Sequence, residues 1–228
     1  MKSLINKLIS LNTNRQEPFV VSIFGQTASG KTTFIKKLVG LSFPINSLSI
    51  IGSPFIIQIH NSLKGCIEIC VNNANETIIF DDVSSTVEYL KNYRWCNGKR
   101  IEEIIIKQNF CHFNQPLKII DCNYFIYNDI DIEAHISHER LRSIISASNL
   151  VLYCMVAERV FSNSDLSNIV QLQSLSPKEL DLVITHMDII RFNDEMNGTR
   201  DEIELVKYCN NVIPKTIPYF TGKIFFGE

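Results

Sequence analysis

The hydrophobic pattern of the chain divides into two kinds of segment. Short continuous apolar runs are typical of buried strands, and apolar residues recurring every three or four positions are typical of amphipathic helices. The predicted strands cover 19–24, 55–60, 66–71, 101–110, 117–121, 150–156, 180–185 and 216–220, and the predicted helices cover 4–11, 31–39, 82–93, 136–147, 163–174 and 199–211. This alternation predicts one α/β domain with a mostly parallel sheet and helices on both of its faces.

Composition limits the function classes. The 228 residues are 45% hydrophobic and 20% charged, with a formal net charge of −2, so we expect no general attraction to nucleic acid. No apolar run reaches the length of about eighteen residues that favours a membrane span. The 7 cysteines form no C-x-x-C pair and no signal sequence opens the chain, which together predict reduced thiols and a cytoplasmic protein.

The strongest motif is Gly25-Gln-Thr-Ala-Ser-Gly-Lys-Thr32, which fits the phosphate-loop pattern G-x-x-x-x-G-K-[ST]. It follows an apolar strand and opens a helix, the context that this motif requires. Backbone N–H groups of such a loop and the helix dipole attract phosphate oxygens. We expect Lys31 to bridge the β- and γ-phosphates and the Thr32 hydroxyl to bind Mg²⁺. The predicted phosphate-binding residues are Gly25, Gln26, Thr27, Ala28, Ser29, Gly30, Lys31, Thr32 and Thr33.

Two later strands end in candidate ligands. Asp121 ends the strand 117–121, where a carboxylate would reach Mg²⁺ through water. Thr185-His-Met-Asp188 ends the strand 180–185 and resembles the guanine-reading [NT]-K-x-D motif of GTPases, in which the acid accepts two hydrogen bonds from guanine. Thr221-Gly222-Lys223 resembles the S-A-K loop that packs against the base in those proteins. The resulting base-contact candidates are Thr185, His186, Asp188, Thr221, Gly222 and Lys223.

The order of these motifs resembles that of the large GTPases, and their spacing is similar to that of the dynamin family. Ninety residues separate Lys31 from Asp121, enough for a long strand-rich insertion before the Asp121 strand. The amino-acid sequences of segments 25–40, 53–59 and 147–165 also resemble that family. The resemblance as a whole extends over about 18–223. Septins and immunity-associated GTPases are similar in the later segments but have a shorter gap. The resemblance implies a P-loop NTPase G domain that binds GTP or GDP with Mg²⁺.

The switch segments depart from the family pattern. Ile51 stands where the first switch has its threonine, and an isoleucine offers no ligand to Mg²⁺. A shift of a few residues in the alignment would make Ser47, Ser49 or Ser53 the candidate. Tyr124 stands where the third motif has its glycine, and its bulk resists the close approach that glycine permits.

The catalytic positions are only partly kept. Thr27 and Lys31 are the candidate catalytic residues, whereas Ala28 offers no polar group and His186 replaces the lysine that lies along the guanine plane. We therefore expect a slow or degenerate GTPase. A catalytically inactive pseudo-GTPase that acts as an interaction module, and an ATP-binding P-loop protein, remain alternatives.

The N-terminal segment 1–17 is predicted to form an amphipathic helix in front of the G domain, 18–228. We expect this helix to pack on the domain, where it or a partner chain would cover the sheet face that GTPases usually cover with a closing helix. Peripheral membrane contact by this helix is a weaker alternative. Neither that closing helix nor a stalk is recognised in the sequence, so we expect the protein to act through a homodimer or a partner chain across the nucleotide face.

Overall fold

The structure is a computed structural model that describes residues 2–12, 17–40, 56–71, 76–92, 101–110, 113, 116–122, 138–160, 162–175, 179–198, 201–217 and 220–227. The strands are β1 (Phe19–Gly25), β2 (Ile56–Asn61), β3 (Cys66–Val71), β4 (Glu76–Phe80), β5 (Ile101–Gln108), β6 (Leu117–Cys122), β7 (Leu150–Val156), β8 (Leu180–Thr185) and β9 (Ile224–Phe226). The helices are α1 (Lys2–Asn12), α2 (Lys31–Val39), α3 (Val83–Asn92), α4 (His138–Ala147), α5 (Asn163–Leu175), α6 (Met187–Asn197) and α7 (Asp201–Thr216).

The described strands form one sheet in the order β4-β3-β5-β2-β6-β1-β7-β8-β9. The half that contains β6, β1, β7, β8 and β9 is parallel throughout, so its strands end at one edge of the sheet. The other half is mixed, because β2 runs antiparallel to β6, and β3 runs antiparallel to both β4 and β5. The prediction of a mostly parallel α/β sheet with a strand-rich insertion before the Asp121 strand is confirmed.

Helices cover both faces of the sheet, as β7 illustrates. Its residues Leu150, Leu152 and Cys154 belong to one buried cluster, whereas the alternate residues Val151, Tyr153 and Met155 belong to the other. The first cluster includes side chains of α1, α2 and α3, and the second includes side chains of α4, α5 and α7. A strand buried on both faces needs a continuous apolar sequence, which is why β7 was recognisable.

The N-terminal helix packs on the sheet as predicted. Leu4 and Leu8 are fully buried in the first cluster together with Val183 and Phe225. The ammonium of Lys7 donates to Asp181 Oδ2 at 2.5 Å. Apolar burial and an ion pair therefore both hold α1 on the face beneath β8 and β9.

The strands predicted over 55–60 and 66–71 correspond to β2 and β3, and β5 lies between them in the sheet. Other local expectations about secondary structure were incomplete or wrong. Strand β4 and helix α6 were not predicted at all. Helix α7 continues through Thr216 and is followed by the buried Ile217, so the strand predicted from Thr216 does not begin there. The strand next to β8 is formed by 224–226 instead.

Within the described part of the chain, no helix has both the length and the apolar character needed to cross a membrane.

Candidate functional site

The phosphate loop is shaped by three residues with positive φ. Gly25, at the end of β1, has φ 145°, Ala28 has φ 61° and Gly30 has φ 75°. A Cβ atom on Gly25 would lie 2.5 Å from the Cys154 carbonyl oxygen, so glycine is required for β1 and β7 to lie this close. Phe34 N donates to Gly30 O at 2.8 Å, and this bond starts α2 directly after the loop. The loop therefore turns from a strand into the N-terminus of a helix, as the motif predicts.

Lys31 lies inside this loop. Its ammonium donates to Gly25 O and to Gln26 O, each at 2.7 Å, and the residue is only 5% exposed. Burial lowers the pKa of Lys31, and the nearby Asp121 partly offsets this effect. The Lys31 ammonium donates here to neutral carbonyl oxygens, and its hydrogen bonds to anionic phosphate oxygens would be stronger. Lys31 is therefore suitably placed to bind a phosphate in the loop.

Asp121 is a fully buried carboxylate near Lys31. It lies on β6 opposite Ile23 of β1, and among the described residues neither of its oxygens has a hydrogen-bond partner of ordinary geometry. Burial raises its pKa to about 6, although Lys31 and the Thr32 hydroxyl both favour the charged form. A buried, unpaired carboxylate is costly, and bound cations are among the groups that remove such a cost. The carboxylate and the Thr32 hydroxyl are oxygen ligands of the kind Mg²⁺ takes, so the residues present fit this ion.

The side chain of Gln26 is tied to α5 rather than directed at the centre of the loop. Its Nε2 donates to Asp165 Oδ1 at 2.8 Å and to Ser162 Oγ at 2.9 Å. Asp165 is 5% exposed and also accepts from the Tyr153 hydroxyl at 2.8 Å and from Ser162 Oγ at 2.7 Å. Sequence reasoning did not find this network. The signal would have been the polar residues Ser162 and Asp165 at the start of an otherwise amphipathic helix.

The predicted guanine motif meets the phosphate loop. Thr185 Oγ1 donates to Ser29 O at 2.8 Å, and the same hydroxyl also lies 3.0 Å from Met155 O. His186 follows with φ 60° and precedes α6, and its Nε2 would lie 3.2 Å from a Cβ atom on Gly30. Asp188 lies exposed in the first turn of α6. The structure therefore brings these three residues to the edge of the sheet that carries the loop.

Thr221, Gly222 and Lys223 lie elsewhere. Lys223 N donates to Asp181 Oδ1 at 2.7 Å and Lys223 O accepts from Leu182 N at 2.8 Å, so this segment lies beside the start of β8. It precedes β9, whereas the base-contact prediction required it to follow a strand. Because β8 and β9 are parallel, these residues lie at the end of the strands opposite the phosphate loop. We therefore do not retain them as base contacts.

The remaining candidate residues lie either on the surface of the phosphate loop and α2 or outside the described residues. Thr27, Ala28 and Thr33 are exposed along the loop and the first turn of α2. The switch positions Ile51 and Tyr124 and the alternatives Ser47, Ser49 and Ser53 lie outside the described residues.

Comparison with known proteins decides the family. The model of the dynamin family matches residues 21–187, which is well over half of the chain and includes every motif from the phosphate loop to the start of the guanine motif. The chain belongs to the dynamin family. No curated protein matches it in sequence.

Solved structures of bacterial dynamins share this dynamin-family fold. Two chains, described as an oligomerised bacterial dynamin pair that provides a mechanism for long-range sensing and tethering of membranes, superpose with TM-scores of 0.54 and 0.57 at 12% sequence identity. They cover 99% of this chain, which in turn covers 33% and 41% of them. The chain thus spans less than half the length of these relatives.

Proposed function

We propose that this dynamin-family G domain binds GTP and GDP with Mg²⁺ and hydrolyses GTP slowly. The observation that carries the proposal is the buried Asp121, which lies near Lys31 and Thr32 of the phosphate loop and has no hydrogen-bond partner of ordinary geometry among the described residues. Lys31 would leave Gly25 O and Gln26 O for the β- and γ-phosphates. The Thr32 hydroxyl would bind Mg²⁺, and Asp121 would hold it through water. The ion would neutralise charge on the phosphates as they are transferred.

The preference for guanine rests on Asp188. Its carboxylate would accept hydrogen bonds from the N1 and 2-amino groups of guanine, which adenine does not offer in that pattern. We therefore expect GTP and GDP to bind in preference to ATP and ADP. In support, Thr185 is anchored to Ser29 O, so the motif that carries Asp188 is fixed to the phosphate loop.

Asp188→Ala tests the guanine assignment. We expect affinity for GDP to fall at least about 100-fold, because two hydrogen bonds to a charged group contribute roughly 1.5–3 kcal/mol each. Affinity for inorganic tripolyphosphate should not change. Glu195→Ala, at another exposed position of α6, is the matched control and should bind GDP like the wild type. If the Asp188 variant binds GDP normally, or if the wild type binds ADP equally well, the protein is a different phosphate-loop class.

Turnover separates a slow GTPase from an inactive binding module. The measurement is phosphate release from saturating GTP, with the nucleotide that co-purifies with the chain identified beforehand. We expect slow release that Lys31→Ala abolishes and Thr27→Ala reduces. Wild-type release equal to that of the Lys31 variant, with GTP bound, would assign the chain to the pseudo-GTPases.

We also propose that two copies associate across the nucleotide face. Ile189, Phe192 and Met196 follow Asp188 at helical spacing on α6, and they are 39%, 60% and 69% exposed. An apolar stripe of this kind is typical of an interaction surface. Sedimentation with GDP and aluminium fluoride should show a dimer that Phe192→Asp disrupts, with Val170→Asp on α5 as the exposed apolar control. An unchanged sedimentation profile in the Phe192 variant would refute this interface.

A further inference from the structure

A small cavity lies between the phosphate loop and the segment that follows β7. Gln26, Thr27 and Ser29 of the loop line one side of it, and Arg159 lies on the other side. Arg159 is the last residue of the 3₁₀ turn Ala157–Arg159, and its side chain is exposed. Of the described residues that line this cavity, it is the one that carries a positive charge. The fold therefore places a guanidinium beside the phosphate loop.

The guanidinium of Arg159 has unused hydrogen-bonding capacity. No ion pair or side-chain hydrogen bond joins it to another residue in the described part of the chain. Asp165, the acid that lines the same cavity, already accepts from Gln26 Nε2 and the Tyr153 hydroxyl, each at 2.8 Å, and from Ser162 Oγ at 2.7 Å. All three of these donors are neutral. The five N–H groups of the guanidinium are thus available for an anion that enters the cavity.

The guanine motif indicates which part of the loop would hold the last phosphate of a nucleotide. Thr185 Oγ1 donates to Ser29 O at 2.8 Å, which places this motif beside the later part of the loop. The phosphates of a nucleotide extend away from its base, and the third phosphate lies farthest from it. The earlier part of the loop, with Gln26 and Thr27, would then lie nearest the third phosphate. Arg159 shares its cavity with these two residues.

We propose that Arg159 binds the third phosphate of GTP and stabilises the charge that develops there during hydrolysis in the same chain. The inference rests on the proposed nucleotide site and adds to it a catalytic residue. The water oxygen bonds to the γ-phosphorus as the bond from that phosphorus to the β–γ bridging oxygen breaks. The bridging oxygen keeps the electron pair and leaves with GDP, and the released phosphate carries both protons of the water. A planar guanidinium donates two parallel hydrogen bonds to phosphate oxygens, which suits it to this charge.

The turn that carries Arg159 is held against the loop. Arg159 O accepts from Ser162 N at 3.3 Å, and Ser162 Oγ accepts from Gln26 Nε2 at 2.9 Å. Val156, directly before the turn, is buried. Donors held in place before the reaction stabilise developing charge best, because they need no reorganisation when it appears. Ala28 has no polar side chain, so Arg159 supplies a charge that this part of the loop lacks.

Single-turnover phosphate release from GTP in excess Mg²⁺ tests the inference on the full chain. We expect Arg159→Ala to lower the rate constant about 100-fold, the cost of removing one donor to transition-state charge. Affinity for GDP should not change, because GDP has no third phosphate. Arg159→Lys should restore only part of the rate, since it keeps the charge but not the planar fork. Arg142→Ala, at an exposed position of α4, is the matched control and should react like the wild type.

Two further measurements separate a catalytic role from a structural one. Aluminium fluoride should tighten the binding of GDP to the wild type, and Arg159→Ala should lose this gain. Added guanidinium chloride should restore part of the phosphate release of Arg159→Ala, whereas urea at the same concentration should not. A variant that keeps the wild-type rate would overturn the inference. A variant that loses affinity for GDP and GTP equally, without rescue by guanidinium, would assign Arg159 a structural role and overturn it as well.

A mixture of two variants tests whether Arg159 acts within its own chain. Lys31→Ala retains Arg159 but should not release phosphate. If the arginine acted across a dimer, this variant would supply it to Arg159→Ala and restore phosphate release. We expect no restoration, and restoration would overturn the assignment to the same chain.

Failure of the proposed function gives a different result. If the wild type releases no phosphate, hydrolysis fails, and affinity for a non-hydrolysable GTP analogue then tests the contact. Arg159→Ala should weaken binding of that analogue but not of GDP, and equal affinities would overturn the inference. If ADP binds as tightly as GDP, the guanine assignment fails, and the same comparisons apply to ATP. If the wild type hydrolyses GTP and Arg159→Ala does so equally well, only the role of Arg159 fails.

Discussion

Two aspartates are completely buried in this sheet, one near each end of its parallel strands, and their surroundings differ. Asp181, near the start of β8, accepts hydrogen bonds from Lys7 Nζ and from Lys223 N. Asp121, near the end of β6, accepts none of ordinary geometry among the described residues. Both carboxylates lose the same hydration when the chain folds, but only Asp181 regains partners within the protein. A buried carboxylate with hydrogen-bond partners inside the protein, such as Asp181, indicates a structural role. A buried carboxylate without such partners, such as Asp121, indicates a site at which a ligand binds.

Lys7→Met should have the largest effect on stability. It leaves Asp181 buried without its cation, and removing one partner of such a pair costs about 3 kcal/mol or somewhat more. Urea unfolding at pH 7 measures the loss. The exposed Lys2→Met is the matched control and should stay within about 0.5 kcal/mol of the wild type. Adding Asp181→Asn to Lys7→Met should recover much of the loss. No recovery would mean that Lys7 contributes by packing rather than by charge.

Asp121→Asn should act in the opposite direction. At pH 7 the wild-type carboxylate is largely ionised, and its burial costs more than Lys31 and the Thr32 hydroxyl return, so a neutral amide should stabilise the nucleotide-free chain by about 2–3 kcal/mol. The same variant should lose the contribution of Mg²⁺ to GDP affinity. Thermal unfolding without nucleotide, and GDP titration with and without Mg²⁺, measure the two effects. A nucleotide-free variant that is less stable than the wild type would show that Asp121 has a structural partner.

The pH dependence of stability should reflect Asp121 in the same way. Burial raises its pKa in the folded state to about 6, whereas an unfolded aspartate titrates near 3.9. The unfolded state therefore releases its proton first as the pH rises, and the free energy of unfolding falls between about pH 4 and pH 6. Lowering the pH from 7 to 5 should stabilise the nucleotide-free wild type by about 1–2 kcal/mol relative to Asp121→Asn. Parallel profiles for the two proteins would contradict this assignment.

Gln26→Met should have the smallest effect on stability of these substitutions. Gln26→Met removes one hydrogen bond to Asp165 of α5 and one to Ser162 just before that helix. Asp165 keeps Tyr153 and Ser162 as donors, so the cost should be about 1 kcal/mol. Because the side chain of Gln26 fixes the phosphate loop to Asp165 and Ser162, the variant should also bind GDP and tripolyphosphate more weakly by the same factor. A loss confined to GDP would place Gln26 at the base instead.

The phosphate loop could be predicted from the sequence because every requirement for it is local. Gly25, Gly30, Lys31 and Thr32 lie within eight positions, and the flanking strand and helix have clear periodicity. Helix α6 was missed because its apolar residues Ile189, Phe192 and Met196 face outward and do not match a buried face.

Contacts between residues far apart in sequence could not be predicted either. Asp181 looks like an isolated polar residue in an apolar strand, and its partner Lys7 is 174 residues away in sequence. The placement of Thr221–Lys223 failed for a related reason, since a short motif does not specify which end of a strand it will occupy. The unpaired state of Asp121 depends on all its neighbours in space, so only the structure could reveal it.

The packing of α1 beneath β8 and β9 has a consequence for synthesis of the protein. Leu4 and Leu8 are synthesised well before Val183 and Phe225, which belong to the same buried cluster. At ordinary elongation speeds of about 5–20 residues per second, the 174 residues between Lys7 and Asp181 take roughly 9 to 35 seconds to make. During this interval Lys7 has no Asp181 to pair with, and the sheet face that α1 covers still lacks β8 and β9. Complete docking of α1 therefore has to wait for strands that are synthesised much later than the helix.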